Sequence, residues 1–413
     1  MPALIVVLLI GLTGSFYLYL GERNDLTRAI QENSETQLQL SQLSNNYSQL
    51  SEQIQSMSYS NAELENRIIE LESTPPVETE IILDISGEGE VRNVILLIGD
   101  GMGLGQLTAA EIVNGNDSLA ILSLPYMSMV TTYSTSNYVT DSAASATALA
   151  TGYKTNNGAI SMSPEGENLI TVVEVAETLG LSTGVVTNTR VTHATPACFM
   201  AHMSNRDLEY EIAGQILESE VDVILGGGSL YFTSLNPIGA GYTIVETSEE
   251  LMNIESGKVL GLFTTSYMSY ESERDPGIEP SLAEMTEKSI ELLSSDPDGF
   301  FLMIEGGRID HSSHDNDFEG TISEVYAFDL AVKEALMFAA GRNDTLVIVT
   351  ADHETGGLLI TGGYSSSSIR YEWIGTDHTG SMVPVLAYGP RAEDVLCFSD
   401  NTDVGSFLLS VFK

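Results

Sequence analysis

Three carboxylates in this chain stand at the ends of apolar runs: Asp100 after NVILLIG, Glu305 closing FFLMIE and Asp352 in LVIVTAD. In open α/β sheets ligands gather beyond the carboxyl ends of the strands. One such acid is commonplace, since a loop must begin with something polar; three predict a shared acidic pocket. The six histidines point to the same place. His193, His202, His311, His314, His353 and His378 each follow a strand-like run or stand in a loop on that side. His353 adjoins Asp352, His378 adjoins Asp377, and Asp310 stands four residues before His314, a spacing that puts both on one helical face or in one tight loop. Mixed carboxylate and imidazole ligands suit zinc, whereas an oxygen set of Asp, Glu and a Thr hydroxyl suits magnesium.

Two divalent metals close together would clamp an in-line displacement at phosphorus or a similar centre. Such a site needs a nucleophile and a group that grips an anion. The stretch VTDSAASATALATG, residues 139 to 152, predicts an Ala-rich helix capped near Asp141 or Ser142. A hydroxyl at a helix N-terminus beside a cation has a lowered pKa, which makes Ser142 a candidate nucleophile. The same hydroxyl in a purely capping role fits this stretch equally well. An arginine fork would hold phosphate oxygens, and Arg190, Arg206 and Arg308 all stand near strand ends. Residue types and spacing do not rank the three.

The elements that must position these groups alternate along the chain. Strand-like runs cover 91–101, 183–189, 221–227, 300–307, 344–353 and 383–389, and helical patterns cover 169–179, 282–293 and 322–338. Near-continuous apolar strands with helices between them predict a doubly wound, mostly parallel α/β sheet covered on both faces.

The 413 residues include 58 acidic and 16 basic side chains, a net charge of −42 that excludes a nucleic-acid binder. Self-repulsion of that size is screened only when salt shortens the Debye length to about 3 Å near 1 M, so a saline habitat is expected. Cys198 and Cys397 belong to no CxxC pair and are read as core residues. Residues 1–20 contain the uncharged run ALIVVLLIGLTGSFYLYL, read as a membrane anchor or an uncleaved signal, with Tyr17 and Tyr19 at an interfacial level. Residues 21–73 read as a parallel two-stranded coiled coil. Leu40, Tyr47, Ile54, Asn61 and Ile68 fall at a, and Leu43, Leu50, Met57, Leu64 and Leu71 at d. Residues 74–90 read as a linker that begins with Thr74-Pro75-Pro76.

From about residue 91 to 412 the sequence closely resembles the alkaline phosphatase family. The resemblance rests on NVILLIGDGMG, VTDSAASATALATG, ATPACFMAHMSNR, LAEMTEKSIELLS, FFLMIEGGRIDHSSHD, LVIVTADHETGG and DHTGSMVPVLAYGP, which occur in family order. It implies hydrolysis of phosphate monoesters through a phosphoserine with two zinc ions and one magnesium, in a homodimer outside the cytoplasm. On this resemblance Ser142 is the nucleophile, Asp141 positions the phosphate-gripping arginine, and that arginine is Arg206. Asp310, His314 and His378 would hold the first zinc, Asp100, Asp352 and His353 the second, and Asp100, Thr195 and Glu305 the magnesium. His193 and His311 stand where family members vary, so the third metal is open between magnesium and a softer ion such as zinc or cobalt. His202 matches no ligand position. Only residues 354–377 separate His353 from His378, too few for the crown insertion of many members. That leaves the coiled coil as another means of pairing chains, and the segment with Arg370, Tyr371 and Trp373 as a cover for the pocket mouth or an ordinary surface loop. The rival readings are a phosphodiesterase or other hydrolase of the superfamily, and a catalytically silent, membrane-tethered metal-binding module.

Overall fold

The computed structural model describes residues 89–115 and 118–412. The anchor, the coiled coil and most of the linker lie outside the described residues. Among the described residues no helix is long and apolar enough to cross a membrane.

The apolar runs form a nine-stranded sheet. Its strands are β1 (Asn93–Gly99), β2 (Tyr126–Val130), β3 (Ser182–Arg190), β4 (Val223–Gly227), β5 (Thr243–Val245), β6 (Val259–Leu262), β7 (Phe300–Gly306), β8 (Thr345–Thr350) and β13 (Val383–Tyr388). Four shorter strands intervene: β9 (Glu354–Thr355), β10 (Leu359–Gly362), β11 (Arg370–Glu372) and β12 (His378–Thr379). The sheet order is β2-β13-β8-β1-β7-β3-β4-β6-β5. Strands β1, β7, β8 and β13 are buried along their whole length, which is why they read as unbroken apolar runs rather than alternating ones.

The mostly parallel sheet is borne out: every pairing from β8 to β5 is parallel. Strand β13 pairs antiparallel with β8 and with β2, so one edge of the sheet reverses direction. An apolar run carries no mark of its direction, so the sequence leaves open which strand of a mostly parallel sheet runs the other way. Strands β2, β5 and β6 escaped the sequence reading because they are short and two of them form the sheet edges.

Ten helices of the described residues complete the domain: α1 (Leu104–Asn114), α2 (Ser142–Thr151), α3 (Val172–Thr178), α4 (Ala194–Met200), α5 (Glu209–Glu218), α6 (Ser248–Met252), α7 (Leu282–Leu293), α8 (Arg308–His314), α9 (Phe318–Ala339) and α10 (Asn401–Val411). Helix α9 packs on α7, α1 and the central strands, while α2 packs against α4 and α10. Capping boxes at Thr171/Glu174 and Ser281/Glu284 start α3 and α7 where polar residues precede the apolar pattern. Cys198 is buried as expected, but Cys397 is exposed, in a short helical turn after the last strand.

Candidate active site

All ten residues of α2 are buried, and the Ala run lets the helix sit close to its neighbours. At Gly405 of α10 an added Cβ would stand 2.3 Å from the Ala148 carbonyl oxygen, so the two helices meet backbone to backbone. Asp141 is the N-cap and accepts from the Ala144 amide at 3.0 Å, as the sequence predicts. Its other oxygen accepts from the Gly158 amide at 3.0 Å and from Arg206 Nη1 at 3.1 Å. Ser142 is therefore the first residue of a helix held on all sides. Its Oγ lies 3.2 Å from His353 Nε2. Ser145, one turn on, donates to the Asp352 carbonyl at 2.6 Å and ties the helix to the end of β8.

The strand ends bring the predicted acids together. Asp100 follows β1, Glu305 closes β7, and Asp352 stands two residues beyond β8; all three are fully buried. Gly101 adopts φ +72 beside Asp100, and a Cβ there would come within 2.8 Å of Thr355 Oγ1 and 2.9 Å of Asp310 Cα, so this turn requires glycine. The Gly101 amide donates to Asp352 Oδ1 at 3.1 Å and links the two strand ends. Three groups result, within each of which the ligand atoms lie inside 4.8 Å of one another: Asp310, His314 and His378; Asp100, Asp352 and His353; and Asp100, His193 and Glu305. Thr195, the second residue of α4, is buried at the third group. Asp310 and His314 do share a helical face, on α8.

The donor sets fit divalent cations. Both oxygens of Asp100, Oδ2 of Asp352, Oε1 of Glu305, Oγ1 of Thr195 and Nδ1 of His193 are buried with no hydrogen-bond partner among the described residues, a concentration that a folded interior does not ordinarily tolerate. Burial, together with Asp352, Asp310 and Glu305, raises the Asp100 carboxyl well above its usual range. Burial and Asp310 push Asp352 up to about 8. A bound cation reverses that preference and lets the carboxylates ionise together. The imidazoles are already oriented as ligands. His314 Nδ1 faces the Thr376 carbonyl at 2.5 Å and His378 Nδ1 the Thr140 carbonyl at 2.9 Å. A carbonyl only accepts, so each Nδ1 carries the proton and each Nε2 offers a lone pair. Those two Nε2 atoms stand 3.1 Å apart, a repulsive arrangement until a proton or a cation comes between them.

A scaffold that the sequence reading missed surrounds these ligands. Thr355 Oγ1 donates to Asp310 at 2.5 Å. Glu354 accepts from Gln106 Nε2 at 3.0 Å, the Gly357 amide at 2.9 Å and the Thr379 hydroxyl, which joins α1 to the β9/β12 pair that carries His378. These residues are remote in sequence and follow no period; the one available signal is their place beside ligand residues. His202 faces two acceptors, the Ser161 carbonyl through Nδ1 at 2.8 Å and the Glu174 carboxylate through Nε2 at 3.2 Å, away from the metal-ready groups, consistent with its assignment outside the ligand set. The segment before His378 forms a β10/β11 hairpin and returns to the site. Trp373 lies so close to Gly356 that a Cβ there would stand 2.5 Å from its ring.

A buried serine at a helix N-terminus, facing metal-ready clusters and a carboxylate-held arginine at the carboxyl end of an α/β sheet, defines the class of metal-assisted phosphatases. The alkaline phosphatase family model matches residues 91–238 and 236–371. Alkaline phosphatase 4 of Bacillus subtilis is 33% identical over 79% of this chain and 90% of its own length. The alkaline phosphatase of Escherichia coli is 32% identical over 83% and 92%. The solved alkaline phosphatase of the Antarctic bacterium TAB5 superposes with a TM-score of 0.73 at 36% identity, covering 78% of this chain and 98% of that one. The chain belongs to the alkaline phosphatase family and is a phosphatase.

Proposed function

We propose that this chain hydrolyses phosphate monoesters in two displacements through a phosphoserine on Ser142. The observation that carries the reading is Ser142 Oγ at 3.2 Å from His353 Nε2, with Arg206 held by Asp141, the residue before that serine. Arg206 binds the phosphoryl oxygens. Burial works against its charge, but Asp141 more than offsets this and raises its pKa, so it stays cationic. Helix α2 fixes Ser142, whose oxygen attacks phosphorus as the bond to the alcohol breaks; water then attacks the phosphoserine and returns the free serine and inorganic phosphate. Zinc on Asp310, His314 and His378 and on Asp100, Asp352 and His353 would activate the serine and the water and stabilise the leaving oxygen. Asp100, Thr195 and Glu305 fit magnesium, while His193 in the same group favours a softer ion such as zinc or cobalt. A His-to-Asp variant of the TAB5 enzyme has a solved structure with magnesium bound in its M3 site.

Residues 91–413 form the catalytic domain in this reading. Residues 1–20 tether it to a membrane outside the cytoplasm and residues 21–73 pair two copies; the hydropathy and heptads of the sequence are the support. Turnover of an aryl phosphate, with and without chelator, tests the activity. In Ser142→Ala, turnover should fall by about a thousandfold or more with bound metal unchanged by elemental analysis. Full activity in that variant would remove the phosphoserine.

A further inference from the structure

The three arginines that residue types and spacing left unranked are distinct in the structure. Arg190 gives Nε and Nη2 to the Glu209 carboxylate at 2.8 and 2.7 Å. Arg206 gives Nη1 to Asp141. Arg308 forms no ion pair, although the other half-buried arginines of the described residues, Arg190, Arg206, Arg274 and Arg391, each hold a carboxylate. In a chain of net charge −42 this is the reverse of what chance would supply.

The guanidinium is nevertheless carefully held. Its Cζ lies 3.7 Å over the Tyr270 ring and 5.5 Å from the Tyr267 ring, and Nη1 donates to His311 Nδ1 at 2.7 Å. Its Nε is buried without a partner. Glu324, the nearby acid, has one oxygen on the Glu271 amide and the other on Asn188, so it does not turn to Arg308. Nor does the side chain anchor its own backbone, since the Arg308 amide is bound by Asn188 Oδ1 at 3.3 Å. The wall is continuous with the phosphate grip. Arg206 Nη2 meets His193 Nε2 at 3.1 Å, the His193 and His311 rings are 5.8 Å apart, and the Tyr267 ring stands edge-on to both.

We infer that Arg308, seated on Tyr270 and Tyr267, is a subsite for a second anionic group, phosphoryl or carboxylate, on the alcohol portion of the substrate. The inference rests on the phosphomonoesterase reading and adds a substrate class to it: bisphosphates and phosphorylated acids with a spacer that reaches from Ser142 to Arg308. With Nη1 given to His311 and Nε sealed from solvent, Nη2 is the donor left to meet an oxyanion. Among the described residues no carboxylate stands within ion-pair distance of it.

The test uses the full-length, metal-loaded protein at one fixed salt concentration and a series of linear alkanediol bisphosphates of increasing length, each compared with the monophosphate of the same diol. At lengths that span the two sites, kcat/KM for the bisphosphate should exceed that of the monophosphate by about tenfold beyond the statistical factor of two, as expected for one charge-assisted hydrogen bond. Arg308→Gln and, independently, Tyr270→Leu should return the ratio to the statistical value, with metal content unchanged. The ratio within each variant cancels any general loss of activity. A wild-type ratio at the statistical value for every length, or an undiminished ratio in folded Arg308→Gln or Tyr270→Leu, overturns the subsite. Failure of wild type to hydrolyse any of the monophosphates overturns the phosphatase reading and the subsite with it.

Discussion

Glu324 is a carboxyl group sealed at 1% exposure beneath the active-site shell, where its oxygens fix Asn188 and the turn at Glu271. Burial, opposed by those hydrogen bonds, raises it from an ordinary 4.5 to about 7. The native state therefore holds a proton that the unfolded chain has released, so stability falls as pH rises from about 4.5 to 7 and is flat above. The total is roughly 3 kcal/mol. Comparing urea midpoints of wild type and Glu324→Gln from acidic to mildly alkaline pH should show this slope in the wild type alone; parallel curves would refute it. None of this was visible in the sequence, where Glu324 is one polar position on a helical pattern. Asp100, Glu305, Asp352 and the histidines were visible because a charged or ligating side chain that ends an apolar run has no packing reason to be there. Tyr267 and Tyr270 were not, because an aromatic residue in a loop has many uses and only its neighbours in space select one.

At the scale of elements, the contact between α2 and α10 decides how well the serine is placed. Gly405 has no room for a methyl group, with the Ala148 oxygen at 2.3 Å and the Gly152 nitrogen at 2.4 Å from where it would stand. Gly405→Ala should lower stability by about 1–3 kcal/mol and, because the strain falls on the helix that carries Ser142, reduce kcat as well. Chemical denaturation and initial rates on one aryl phosphate measure both; a variant with wild-type values for each would show that the helices separate without cost. The central strands were legible because burial on both faces leaves no polar alternation, and α2 because Asp141 and the Ala run signal a capped helix. The reversal at β13 was not legible, since its direction is set by partners, β8 and β2, that lie far away in sequence.

The whole molecule carries a charge of −42, and its substrates are anions. Screening weakens the repulsion among surface carboxylates and leaves the buried groups around Ser142 little affected. The thermal midpoint and turnover are both expected to rise with sodium chloride across the molar range, and a steady fall in both would exclude adaptation to salt. One feature near the site has an optical consequence. Trp373 is the single tryptophan of the chain. It lies on Gly356, whose amide donates to the Asp377 carbonyl at 3.0 Å, next to the Thr376 carbonyl that orients His314. The turn at Gly356 on which that indole rests is thus linked to the carbonyl that orients a ligand of the Asp310, His314 and His378 group. The indole's fluorescence emission should therefore shift during a chelator titration in step with that group, an intrinsic lamp that reads one of three neighbouring candidate cation positions without added dye.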